Sequence, residues 1–303
     1  MKKRKKQQNS WFVSFFLFLI LLFLLLVIIL QQVKLDELSA EAQTETKQGV
    51  TEEELEKKVI LITAKEISMT AEEEALRAQC VIARTNLIGA GKKGENEPQA
   101  FTMEELQEVW GEQFPAYYAE LEEAAASTKG QYLAYNGNSI YAAYHAISAG
   151  ETRAMAELYP EVQMPYITNV ECHQDALAKD YVSVFTWSRE EFMALCQETY
   201  PESELKEPEG CSVRSRDSVG YVLTMALGKL RLTGEEFKNA LKLPSACFSI
   251  TVDEEKVRIV TKGCGHGLGL SQYTAEQMAK EGDSWQEILM QFYPGCELLT
   301  YKP

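Results

Sequence analysis

The sequence predicts an α+β protein: an N-terminal transmembrane helix followed by an extracytoplasmic domain of mixed helices and antiparallel strands. Three observations predict it. Residues 11–30 form one apolar run behind a basic tail. Beyond residue 51, helices announced by capping boxes are interspersed with paired alternating segments that read as hairpins. The two kinds of element follow each other in irregular order, which argues against a repeated βαβ sheet.

Residues 1–10 carry Lys2, Lys3, Arg4, Lys5 and Lys6, and Ser14 is the only clearly polar residue in Trp11–Leu30. Twenty helical residues at about 1.5 Å rise span about 30 Å, the thickness of a bilayer core. The run is longer than the apolar region of a cleaved signal peptide, and Ala40-Glu41-Ala42 lies well past it. The expected topology is therefore a single-pass signal anchor in the cell membrane, with the basic tail cytoplasmic and everything after Gln31 outside. Residues 31–50 are polar and read as a stalk. Residues 51–303 are long enough to build a core, as one large domain or two lobes.

The chain has 30 basic and 45 acidic residues, a net charge of −15, and five of the basic ones sit in the tail. A domain this acidic repels polyanions, so nucleic acid is not an expected partner.

Thr51 and Glu54 form a capping box, after which Leu55, Val59 and Ile62 recur at helical spacing. The next member of that series is Glu66, so a carboxylate continues an apolar face. Partial burial disfavours the ionised form, a property that suits a general acid; a helix-end glutamate turned to solvent is the plain alternative. Thr70 and Glu73 offer a second capping box, followed by the stripe Leu76, Cys80, Ala83 and Leu87. Arg84 lies on the flank of that stripe, where a guanidinium either snorkels outward or meets an acid.

Residues 89–97 read as a loop. Thr102 with Glu105 starts a helix, and Pro115 interrupts before a further segment through Ala126. Residues 131–135 and 139–144 alternate around Asn136-Gly137-Asn138, a hairpin signal that delivers His145 into the turn 146–150 with Ser148. Later, residues 181–187 read as a strand and 219–232 as strand-rich, each followed by a helix, capped by Ser188/Glu191 and Thr233/Glu236. Residues 248–252 and 256–260 read as a further hairpin.

Residues 262–273 read KGCGHGLGLSQY. The G-x-G-x-x-G pattern fails because positions 268 and 270 are leucines, and no Gly-Lys-Ser/Thr follows, so a nucleotide loop is excluded. What remains is a tight turn packed against a sheet, or a backbone able to approach another surface while carrying His266 into Ser271-Gln272-Tyr273.

Seven cysteines follow residue 31, an odd number with no zinc-knuckle spacing; Cys80 reads as a small buried hydrophobe, and Cys264 and Cys296 bracket the last motif as a potential pair. Cys172-His173 and His145 are zinc-ligand types, but adjacent ligands begin a tetrahedral site awkwardly. Neither a metal nor a cofactor is expected.

Glu66-Ile67-Ser68, then Glu74-Ala75-Leu76-Arg77-Ala78-Gln79 and Ala83-Arg84-Thr85, resemble the opening signature of the stage II sporulation protein D (SpoIID) and amidase-enhancer family, which reads Glu-Met-Pro, Glu-Ala-Leu-Lys-Ala-Gln and Ala-Arg-Thr-Tyr at this spacing. Ser148 and Gly150 match the family's His-Ser-Thr-Ser-Gly-Gly turn. The glycine loop resembles its Gly-Trp-Gly-His-Gly-Val-Gly-Met-Ser-Gln-Tyr-Gly-Ala, with Cys264 for tryptophan and Thr274 for glycine, and Tyr293-Pro294-Gly295 completes the pattern. Ile67, Ser68 and Asn86 depart from it, marking a divergent member. The zinc site of some clostridial relatives follows the arginine helix, but residues 89–103 hold no Cys or His.

The resemblance implies a lytic transglycosylase that cuts peptidoglycan between N-acetylmuramic acid and N-acetylglucosamine and leaves a 1,6-anhydro end, with engulfment during sporulation as the setting. Glu66 would be the catalytic acid. Arg84, His145, Ser148, His266, Gln272 and Tyr273 would hold the glycan, and Tyr144 and Tyr293 are candidates for apolar faces against a sugar ring. The implied partners are peptidoglycan glycan strands and a peptidoglycan amidase. The alternative is a non-catalytic, wall-binding enhancer of that amidase.

Overall fold

The computed structural model describes residues 51–94 and 96–302. The membrane span expected over residues 11–30, with its tail and stalk, lies outside the described residues. Among the described residues no helix is long and apolar enough to cross a membrane, so in place of the expected anchor and domain the described residues form a mixed α+β domain alone. The longest helix among the described residues has 21, but Glu73, Glu74, Arg77, Arg84, Lys92 and Lys93 interrupt its apolar surface.

That helix, α2 (Glu73–Lys93), is the axis of the first lobe, and α1 (Glu52–Glu66) precedes it. The stripe Leu55, Val59 and Ile62 is buried as its spacing predicts. On α2, Leu76, Cys80, Ala83 and Leu87 pack with α1, α3 (Met103–Trp110) and α4 (Phe114–Ser127). A second face with Ala78, Val81 and Ile82 packs against the C-terminal helices α8 (Gln272–Glu281) and α9 (Trp285–Phe292). A helix covered on both sides is a core helix, and burying each large aliphatic side chain stabilises by about 1.5–3 kcal/mol.

The Thr70/Glu73 box does not form. The helix begins at Glu73 with Glu72 as an N-cap that makes no side-chain bond, and the Glu72 N–H donates instead to Glu276 Oε2 of α8 at 2.6 Å. A carboxylate brought from 204 residues away replaces the local cap at the positive end of the helix. The loop expected over 89–97 is helical as far as Lys93 and turns at Gly94, φ +66°. The expected boxes at Thr102/Glu105, Ser188/Glu191 and Thr233/Glu236 are present.

In the first lobe β1 (Gln131–Tyr135) pairs antiparallel with β2 (Asn138–Ser139) and with β11 (Glu297–Thr300). The strand expected over 139–144 breaks after Ser139. Its end, β3 (Tyr144–His145), pairs in parallel with β10 (Leu270–Ser271), placing Tyr144 opposite Leu270 and His145 opposite Ser271. This long-range pair brings the two sequence motifs together. The short α5 (Met155–Leu158) follows.

The second lobe is formed by β4 (Val182–Ser188), α6 (Arg189–Thr199), β5 (Cys211–Arg216), β6 (Val222–Leu227), β7 (Leu230–Thr233), α7 (Gly234–Leu241), β8 (Phe248–Val252) and β9 (Lys256–Lys262). Its sheets, ordered β4-β9-β8 and β5-β6-β7, enclose Phe192, Cys196, Met225, Phe237, Phe248 and Ile259. All seven cysteines are free thiols, so Cys264 and Cys296 are not bridged.

Candidate functional site

Glu66 is the last residue of α1 and opens into a cleft of ≈ 460 Å³. Asn86 and Gly89 of α2, Pro98 and Gln99, Tyr141, Tyr144 and His266 share its walls. The volume lies within the usual range for small-ligand sites. Among the described residues lining it, Glu66 is the sole acid.

The elements that build the cleft explain how each group is held. Asn86 fixes the Tyr141–Tyr144 wall by a two-way bond with Ala142: its Nδ2 donates to the carbonyl at 3.0 Å and its Oδ1 accepts from the N–H at 2.8 Å. The residue that breaks the sequence signature thus has a defined structural task. Tyr144 leaves β3 and shares the cleft wall with Glu66; burial first, then the nearby Glu66 carboxylate, raise its pKa far above the ordinary phenol value. The phenol therefore keeps its proton and stands in the cleft as a donor. This is a different role from the apolar sugar face expected of Tyr144. Tyr293 is wholly buried, donating from its hydroxyl to Ala143 O at 2.6 Å, and belongs to the core.

Behind the carboxylate, Gln272 Nε2 donates to the backbone carbonyl of Glu66 at 2.8 Å and to Gln79 Oε1 at 3.2 Å. It pins the end of α1 to α8 and α2 rather than standing in the cleft. Tyr273 lines a neighbouring pocket of ≈ 400 Å³ with Ile67, Ser68, Ala146 and Gln272, and its N–H donates to Ala146 O.

The glycine loop lies directly on the 143–148 segment. Gly263, Gly265, Gly267 and Gly269 all have positive φ. A Cβ on Gly263 would fall 2.7 Å from the Ile147 carbonyl oxygen, and one on Gly267 2.6 Å from the Tyr221 hydroxyl. Both the backbone conformation and the close approach require glycine there. His266, held by this loop, accepts at Nδ1 from the Leu268 N–H at 3.0 Å, which leaves the proton of the neutral ring on Nε2. Burial lowers its pKa.

His145 lies behind the cleft wall, 4% exposed, its ring 5.9 Å from that of His266. Its Nδ1 donates to Leu268 O at 3.1 Å and its Nε2 has no partner among the described residues. Burial, then His266, draw its pKa down to about 3. Ser148 is fully buried: its N–H donates to Asp175 Oδ2 at 2.6 Å and its Oγ accepts from Gly150 N.

Arg84 requires the largest correction. It is completely buried and does not line the cleft. Its Nε and Nη2 grip Glu56 at 2.8 and 2.6 Å, and its remaining bonds reach the carbonyls of Gln131 and Ala125. Glu56 lies ten residues before Glu66 on α1, about 15 Å along the axis. Of the seven expected site residues, Glu66 and His266 meet in the cleft, Gln272 supports it, Tyr273 faces the adjoining pocket, and Arg84, His145 and Ser148 are interior.

Two residues that the sequence reading passed over organise this interior. Asp175, wholly buried, accepts from Ser148 N–H, Ser271 Oγ at 2.8 Å and Thr274 Oγ1 at 2.7 Å, tying the two motifs to one carboxylate. Arg153 ties the lobes: it pairs with Asp217 at 2.6 Å, lies over the Tyr221 ring and donates to His266 O at 3.0 Å. Neither has a local periodicity or motif that would single it out. His173 is exposed beside Glu171, and among the described residues no three metal-ligating side chains gather.

Chemically, the cleft offers one carboxylate and a phenol donor, and no second acid at either spacing that two-carboxylate glycosidases use, among the described lining residues.

Comparison with known proteins agrees with the resemblance read from the motifs. Residues 43–135 match the SpoIID family, described as Stage II sporulation protein. The chain is 29% identical over 274 residues to stage II sporulation protein D of Bacillus subtilis (strain 168), covering 83% of this chain and 76% of that one. It is 29% identical to the protein of the same name from Bacillus amyloliquefaciens, over 80% and 74% of the two chains. An amidase enhancer of Bacillus subtilis is 26% identical over 75% of this chain and 38% of its own length.

Proposed function

We propose that this chain, which carries a SpoIID family domain and is similar over most of its length to stage II sporulation protein D, is an extracytoplasmic peptidoglycan lytic transglycosylase acting in sporulation. The reading rests on one observation: Glu66 is the sole acid among the described residues of the cleft, which the Tyr144 phenol lines with it. A glycosidase that activates water commonly needs a second carboxylate, whereas intramolecular attack does not.

In the proposed reaction Glu66 enters protonated and gives its proton to the glycosidic oxygen, so the N-acetylglucosamine side leaves as an alcohol. Positive charge develops at C1 of N-acetylmuramic acid. The Glu66 carboxylate, stabilised by the Tyr144 donor, then takes the proton of that sugar's 6-hydroxyl as the oxygen closes onto C1. The 1,6-anhydro ring forms and Glu66 is protonated again. Holding the nucleophile within the substrate supplies the proximity advantage. Gln272 fixes the backbone from which the carboxylate projects.

The test is release of anhydro-muropeptides from purified peptidoglycan by the full-length protein, read by mass spectrometry. Glu66→Gln should lower the rate by about 10²–10⁴-fold while sparing glycan binding. The exposed Glu104→Gln should not alter it. Near wild-type release by Glu66→Gln would defeat the assignment. Similarity to an amidase enhancer supports a second reading, a non-catalytic cleft that stimulates a partner amidase. No release by wild type, together with a faster partner amidase, would select it.

A further inference from the structure

On the second lobe β4 lies at one edge of the β4-β9-β8 sheet and carries no charged residue and no proline. It pairs with β9 through seven consecutive residues without a bulge, and among the described residues no strand pairs with its other side. Proteins ordinarily blunt such an edge with a charge, a proline, a bulge or short length. Other edge strands of this chain follow that rule. β5 carries Arg214 and Arg216 and shifts register twice, β7 has Arg231 within four residues, and β11 has Glu297 within four. β2, β3 and β10 are two residues long. At the far edge of the same sheet the Phe248 carbonyl of β8 accepts from Arg216 at 2.8 Å. Among the described strands β4 is thus the long edge left open.

The face beside that edge is patterned. Val182, Val184 and Thr186 point outward, and the two valines are each 49% exposed. Across the ladder Val182 lies opposite Lys262, Val184 opposite Val260 and Thr186 opposite Arg258. An apolar row therefore runs between two cationic ones. Ser249 and Thr251 continue the rows on β8, and the three strands contain no acid. In a chain of net charge −15 this face is a local inversion of sign. Neither Arg258 nor Lys262 makes an ion pair or a side-chain hydrogen bond among the described residues. On the inner face Phe185 and Trp187 stack with centroids 6.0 Å apart and are only partly buried against the core.

We propose that β4 is the docking edge for an extended segment of a partner protein that carries an acid, an apolar residue and a second acid at alternate positions. Its main-chain N–H and C=O groups complete the β4 ladder, and its outward side chains follow the three rows: the acids toward Arg258 and Lys262, the apolar one beside Val184 and Val260. An added strand lies about 4.8 Å from β4 and about 9.6 Å from β9. Thr186 and Val182 stand between and are small, so a long cation and a carboxylate leaning toward each other close that gap. Charge selects this occupant over a second copy, because β4 has no acid to bring to the two cations. The apolar row and the open ladder select a protein strand over an anionic polymer, which would use the cations alone. The proposal is independent of the chemistry at Glu66.

The experiment measures binding of a fluorescein-labelled peptide, Thr-Glu-Tyr-Val-Tyr-Glu-Thr, to the full-length protein by anisotropy, with amide hydrogen exchange to locate it. Binding should slow exchange within residues 182–188. Glutamine in place of both peptide glutamates should weaken it about threefold to tenfold, as expected for two exposed charge pairs, and added salt should shrink the difference. Proline in place of the peptide valine should abolish binding, because it breaks the added strand. Arg258 and Lys262 are exposed and hold no other side-chain bond, so the double variant Arg258→Glu with Lys262→Glu keeps the fold. It should prefer the peptide with lysine in place of both glutamates. Arg231→Glu on β7, outside this sheet, should behave as wild type. No binding of the acidic peptide, an acidic preference kept by the double variant, or binding without protection of β4 would overturn the proposal. Equal binding of the proline peptide would overturn it in favour of a simple anion patch. Dimerisation of the free protein with β4 already protected would overturn it in favour of a second copy.

Discussion

Arg84→Ala is expected to weaken the fold rather than the chemistry. Arg84 is wholly buried with four hydrogen bonds, two to Glu56 and two to backbone carbonyls. Its removal strands the Glu56 carboxylate, whose side chain is 15% exposed and whose other bond is a 3.2 Å contact from Gly130 N. Breaking a buried pair by deleting one partner costs about 3–5 kcal/mol. In a domain of this size each kcal/mol lowers Tm by about 2–4 °C, so the loss should be about 6–20 °C. Thermal unfolding followed by circular dichroism reads it directly. Apolar replacement of both partners removes the stranded charge, so Arg84→Met with Glu56→Met should recover most of the stability. That double variant, well folded, should cleave glycan at the wild-type rate. An Arg84→Ala protein melting within about 2 °C of wild type, less than 1 kcal/mol of change, would refute the structural role. Lost cleavage in the folded double variant would return Arg84 to the chemistry.

Three further outcomes are expected. Tyr144→Phe removes the donor from Glu66 and keeps the ring; a hydrogen bond to a charged group is worth about 1.5–3 kcal/mol, so anhydro-product release should fall about 10- to 100-fold with Tm preserved, and an unchanged rate would dissociate Tyr144 from the chemistry. Gly267→Ala should destabilise by more than about 2 kcal/mol, because its Cβ meets Tyr221 and its φ is +80°, whereas Gly91→Ala, with open space in a helix, should stabilise by about 0.5–1 kcal/mol; chemical denaturation compares them. His145 is held neutral down to about 3, so below an unfolded value near 6.5 the unfolded chain takes a proton that the folded one refuses. Its contribution is therefore present above that value and lost as pH falls: between pH 6.5 and 4 wild type should lose stability faster than His145→Gln, by up to about 1.4 kcal/mol per pH unit, and parallel profiles would contradict it.

The sequence by itself determined the local elements and the two motifs that meet at the cleft. Period located α1, capping located α3, α6 and α7, and alternation the hairpin β8–β9, because hydrogen bonds between neighbours in sequence fix those features. Glu66 was legible as the charged continuation of an apolar stripe, and the glycine loop as a backbone made for close approach. Residues whose role is set by distant partners were not legible. Arg84 shares its motif with Glu66, yet its donors close on Glu56 ten positions upstream of that acid. The Thr70 cap lost to Glu276, which reaches the Glu72 N–H from the far end of the chain. Asp175 and Arg153 stand in no pattern, because a buried charge is positioned by the donors and acceptors that tertiary packing brings to it. The cleft itself exists only once β3 and β10 pair, since its acid comes from residue 66, its phenol from 144 and its imidazole from 266. Periodicity reports which side of an element is covered; only packing decides what covers it.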